Sequence, residues 1–108
     1  MRLIYKIGAF AMVLGVVTMS VAGPPPPTTH KVLIQGFKFV PERIEVAVGD
    51  TVVWENKDIV PHTATAKKGF DSKEIATGQS WSYVAKRQGR YEYICTYHPT
   101  MKGELVVR

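Results

Sequence analysis

Three electron-rich side chains fall within one short stretch near the C-terminus, the segment CTYHPTM, which carries Cys95, His98 and Met101. A thiolate, an imidazole and a thioether aimed at one point suit copper, which moves between Cu(I) and Cu(II) and accepts both soft sulfur and nitrogen donors. Methionine is the discriminating element, because structural zinc sites draw on Cys, His and carboxylates. Covalent haem attachment through Cys-x-x-Cys-His is excluded, since the chain holds a single cysteine. That cysteine can form no internal disulfide, and an unpaired thiol in an oxidising compartment is a liability unless something occupies it.

A copper ion needs a second imidazole, and the chain offers His30 and His62. His30 borders a proline-rich spacer and reads as a solvated terminal residue. His62 follows Pro61 at the start of the apolar-alternating stretch HTATA, where proline stiffens the approach and helps hold the ring in place. The expected site is therefore His62, Cys95, His98 and Met101. The two histidines and the thiolate would make a trigonal set, with Met101 as a long, weak axial ligand.

Such a site requires short strands that bring distant loops together. From Lys31 onward the chain shows apolar alternation broken by turn residues, with no sustained repeat at helical spacing. KVLIQGFKF places Val32 and Ile34 on one face, and its phase slip at Gly36, before Phe37 and Phe39, suggests a bulge. RIEVAV aligns Ile44, Val46 and Val48, and TVVWEN turns Val52 and Trp54 inward. HTATA (62–66), SWSYV (80–84), RYEYIC (90–95) and GELVVR (103–108) supply further strands, whereas 67–79 reads as a polar loop with room for one helical turn. The expected fold class is all-β, an antiparallel Greek-key β-sandwich of seven to eight strands. Trp54, Trp81, Tyr91 and Tyr93 read as core aromatics. Cys95 shares the face of Tyr91 and Tyr93, so its sulfur should point into a largely dry pocket at the strand's end.

Length and composition bound the rest. The chain has 108 residues, room for one domain. Its first 22 residues carry Arg2 and Lys6, an apolar run from Ile7 to Val17, and the small residues Ser20-Val21-Ala22, the order of a secretory signal. The uncharged stretch falls short of the roughly 20 apolar residues a spanning helix needs, so no stable membrane insertion is expected after cleavage. The expected organisation is a signal peptide at 1–22, a Pro-rich linker at 23–30 and a copper-binding domain at 31–108. Without Arg2 and Lys6, the 14 basic residues fall to 12 against 9 acidic, a net charge of +3. The basic residues are scattered, and no basic stripe with interleaved aromatics points to nucleic acid.

Three segments, VGDTVVWEN, PHT and GRYEYICTYHPTMKGELVV, resemble the strand-turn-strand, first-histidine and C-terminal ligand segments of the cupredoxins, the small blue copper proteins. The likeness runs from about Phe37 to the end, and the short Cys-x-x-His-x-x-Met loop looks like that of amicyanin among the plastocyanin-like members. The resemblance implies one type 1 copper ion, a periplasmic location, and a monomer that shuttles electrons between larger redox proteins. A c-type cytochrome or a periplasmic dehydrogenase would dock transiently near His98, on a small, mostly uncharged surface of Val60, Pro61, Pro99 and Thr100. Thr63 stands where the family commonly has Asn. Its backbone N–H is placed to donate to the Cys95 sulfur, and its hydroxyl to reach the loop near Thr96. Tyr97 and Thr100 also depart from the amicyanin pattern. The alternative function is copper trafficking or storage, disfavoured by a closed four-ligand site. An enzyme is not expected, because no carboxamide orients a Cys95–His98 pair and four filled ligand positions leave no open site.

Overall fold

Apolar residues at every second position build eight strands: β1 (Thr29–Gln35), β2 (Lys38–Val40), β3 (Arg43–Val46), β4 (Thr51–Asn56), β5 (Thr65–Ala66), β6 (Ser80–Val84), β7 (Gly89–Cys95) and β8 (His98–Val107). The structure, a computed structural model, describes residues 8, 11–17, 23 and 25–108. The signal expected at 1–22 lies largely outside the described residues. Among those described, no helix is long and apolar enough to cross a membrane.

The strands form two four-stranded sheets, ordered β2-β1-β4-β6 and β3-β8-β7-β5. The chain changes sheet at every connection from β2 to β7, so neighbouring loops at either end come from distant parts of the sequence. The all-β sandwich matches the expected class, with one correction to its antiparallel description. Each sheet is mixed, because β1 pairs β4 in parallel and β3 pairs β8 in parallel.

The core lies between the sheets. Val32, Ile34, Val52 and Trp54 face it from the first sheet, and Tyr93, Cys95, Met101, Leu105 and Val107 from the second, all buried. Full burial of an aliphatic side chain such as Ile34 or Leu105 contributes about 2 kcal/mol. Tyr93 and Cys95 are buried on one face of β7, as their spacing required. Gly103 sits opposite Tyr93, where any β-carbon would collide with the tyrosine ring, so the bare backbone of β8 is what makes room for that ring.

Several local expectations are corrected. The slip at Gly36 is a two-residue turn, with φ of 61° at Gly36 and 57° at Phe37, the left-handed pair that matches hairpin twist. It leaves Phe37 half exposed while Phe39 is buried. Val48 is exposed because β3 ends at Val46. HTATA contributes only Thr65–Ala66 as a strand, and His62 forms an isolated bridge with Ile75. The 67–79 loop has no helical turn; it inserts Phe70 and Ile75 into the core. Trp81 and Tyr91 are half-buried packing partners of that core.

At the end of β1 remote from the Gly36–Phe37 turn, Asp50 fastens the incoming chain. Its carboxylate accepts from Thr28 N at 2.9 Å and Ala47 N at 3.0 Å, and pairs with His30 Nε2 at 2.9 Å. His30 is thus a half-buried partner rather than a solvated residue. The Thr28 backbone bond, then His30 and Ala47, hold the Asp50 carboxyl down at about 2. A depressed acid stabilises the fold fully above its unfolded value near 3.8 and loses that contribution as pH falls through about 2. Urea unfolding should therefore show Asp50→Asn less stable than wild type at neutral pH, with the gap closing between pH 4 and 2.

Candidate metal centre

Two loops at the turn end of the sandwich carry the expected donors. The first leaves β4 at Asn56, a fully buried residue that folds the loop around itself. Its Nδ2 donates to Val60 O and to Ile75 O, each at 2.9 Å, and its Oδ1 accepts from Asp58 N at 2.9 Å. His62 follows, held by paired backbone bonds with Ile75 at 3.2 and 2.7 Å. The second loop is the tight β7–β8 connection, where a register shift at Ile94/Cys95 pairs Cys95 with His98.

These loops bring three of the four expected residues to one point. Cys95 Sγ lies 3.6 Å from His62 Nδ1 and 3.8 Å from His98 Nδ1. The three donor atoms all lie within 4.8 Å of one another. His62 and Cys95 are 0% exposed, and His98 is half buried. Met101 is buried on the inward face of β8 that also carries Leu105 and Val107.

Thr63 joins the two loops in the manner expected. Its backbone N–H donates to Cys95 Sγ at 3.3 Å, and its hydroxyl accepts from Thr96 N at 2.9 Å. Thr65 Oγ1 donates to the same hydroxyl at 3.0 Å. A single buried threonine therefore supports the sulfur directly and fixes the loop that carries His98.

A family model described as the cupredoxin-like domain matches residues 8–107. The chain belongs to the cupredoxin-like family. It is 30% identical to the amicyanin of Paracoccus versutus over 68% of its own length, and the match spans 61% of that relative. It is 32% identical to amicyanin-alpha of Methylorubrum extorquens, covering 76% of this chain and 74% of the relative. Among solved structures it is similar to a proline-to-alanine mutant of amicyanin in its oxidised state, with a TM-score of 0.71 and 31% identity, covering 74% of this chain and 82% of that one.

Around the donors, this cupredoxin presents a mostly uncharged rim, with Lys38 and Lys102 beside Phe37 and Thr100. Pro61, Pro99 and Thr100 are exposed and Val60 is half buried. Two apolar residues that the sequence reading left out of the rim belong beside them: Ile59 is 91% exposed and Phe37 50%. Phe37 stands edge-on to His62 and His98, with ring centroids 5.4 and 5.0 Å away. Asp58 was also missed, although its spacing four residues before His62 was visible. Its Oδ2 pairs with His62 Nε2 at 2.8 Å. Burial pushes the Asp58 carboxyl up, but the Phe37 and Gly36 N–H groups and the His62 ring outweigh it and hold the group below its ordinary value.

Thr63→Ala should remove the cross-link between the loops and cost about 1 kcal/mol of unfolding free energy in the metal-free protein, measured by urea denaturation. Thr63→Ser should retain most of that stability.

Proposed function

We propose that this cupredoxin is a copper-dependent one-electron carrier rather than an enzyme, exported to the periplasm. The carrying observation is the donor cluster itself: a buried thiol and two imidazole Nδ1 atoms converge with no carboxylate among them. That set of borderline and soft donors suits copper better than a hard cation. His62, Cys95 and His98 would hold the ion, with Met101 as the fourth, weaker donor.

When bound, copper supplies a centre that gains and loses one electron. The protein's part is to keep that exchange cheap in motion. His62 sits on a bridge with Ile75, Cys95 at the end of a core strand, and His98 on a loop pinned through Thr96, so the donors have little freedom to shift. The Thr63 N–H donates to the sulfur and stabilises negative charge there. His62 and Cys95 are sealed from water, while the half-buried His98 forms the path to the surface. The mostly uncharged rim around it suits brief docking by larger redox proteins, of the kind of a c-type cytochrome or a periplasmic dehydrogenase, to a monomeric carrier. Residues 1–22 would act as the export signal and 31–108 as the working domain, with the linker at 23–30 ending in the first two residues of β1. Delivery or storage of copper is the weaker reading, since handing metal over requires reachable donors and two of these are fully enclosed.

Residues 23–108 mixed with Cu(II) should develop a strong thiolate-to-copper band in the visible and narrow copper hyperfine splitting by EPR. Cys95→Ser should abolish both signals and leave the folded signature intact; absence of the band in the unmodified protein would reject the assignment. Met101→Leu should keep the band and raise the reduction potential, because a donor that favours Cu(II) is lost.

A further inference from the structure

We infer that Asp58 is a positioning residue for this centre: its carboxylate sets the tautomer of His62 and, with the same two oxygens, holds the Phe37 turn over both histidines. The inference rests on His62 being a ligand, as proposed above.

Three groups reach the carboxylate, and none of the backbone ones can accept a hydrogen. Oδ1 accepts from Gly36 N at 2.7 Å, and Oδ2 from Phe37 N at 3.0 Å. The third is His62 Nε2, 2.8 Å from Oδ2. A carboxylate facing it offers only lone pairs, so Nε2 must carry the hydrogen. A neutral ring with its hydrogen on Nε2 leaves a lone pair on Nδ1, the nitrogen that faces Cys95 Sγ at 3.6 Å. The site-facing nitrogen is therefore ready to bind before any metal arrives. The Asp58 side chain is 11% exposed and the His62 side chain 0%, so water competes little for this bond. A backbone carbonyl would select the same tautomer, but the full negative charge also makes Nδ1 more basic and favours the more highly charged state of a bound ion.

The second task explains an otherwise costly backbone. Phe37 holds a φ of 57°, a left-handed conformation that a bulky non-glycine residue seldom adopts. Hydrogen bonds from both residues of the turn to Asp58 keep it there. The result is a ring set at 86° to both His62 and His98. One carboxylate thus ties together the first ligand loop, the β1–β2 turn and the imidazole.

Asp58→Asn tests this sharply, because an amide replaces one acceptor with a donor while three donors still face it. In either orientation of the amide a backbone N–H loses its partner, and when the amide nitrogen faces Phe37 and His62, Nε2 becomes the acceptor and Nδ1 takes the hydrogen. Nitrogen-15 NMR of the metal-free wild-type chain should show His62 protonated on Nε2 alone, and Asp58→Asn, which can turn either its oxygen or its amide nitrogen to the ring, should show a mixture of the two tautomers. Copper affinity of the variant should fall about 10- to 100-fold, and its reduction potential should rise. Glu92→Gln, at an exposed carboxylate of the other sheet, should change none of these. A wild-type ring protonated on Nδ1 would overturn the inference, as would a variant that keeps the tautomer and binds copper within about 2-fold of wild type. If the variant fails to fold, the wild-type tautomer decides. If the wild-type chain binds no copper, the ligand assignment fails, and the tautomer still reports separately on Asp58.

Discussion

The fastening of two loops 33 residues apart is the constraint on which this centre depends. Left alone, the segment after Asn56 and the turn after Cys95 are surface connections, free to splay. The sandwich delivers them to the same end, and Thr63 closes the remaining gap from both its backbone and its hydroxyl. Beneath them, the thiol is buried by strand parity and the Asn56 side chain satisfies the carbonyls that the loop would otherwise strand without partners. Donor convergence is in this sense a property of the frame.

Much of that frame was legible. Alternation set the inward faces of β1, β4 and β7, and because parity cannot slip within a paired strand, it carried Cys95 into the interior with Tyr93. The donor types were legible too, since thiol, imidazole and thioether in one short loop narrow the chemistry before any fold is known. What alternation could not reveal is which strand lies beside which. A face pattern is the same for parallel and antiparallel neighbours, so the β1–β4 and β3–β8 pairings emerge only from the three-dimensional path.

The misreadings arose where a local pattern admits more than one structure or hides a distant partner. At Gly36, a bulge and a two-residue turn both shift the apolar phase by one, and alternation put Phe37 on the same face as Phe39. Its left-handed backbone, unusual for a bulky residue, turns it outward instead. The 67–79 loop appeared polar because Lys67, Lys68, Lys73 and Glu74 outnumber its large apolar residues, yet Phe70 and Ile75 are the ones that decide its packing. Asp58 escaped notice for a different reason: its partners come from a turn more than twenty residues earlier, and local spacing shows only the histidine.

The Asp50 fastening gives the molecule a polarity. Chain enters the sandwich at the pole where Thr28 and His30 are tied down, and the donor loops crown the other. A surface, bead or electrode joined ahead of Thr28 would hold this protein by its base, with the histidine rim facing away from the support. Immobilised in that orientation, every copy would offer its exchange face to the solution.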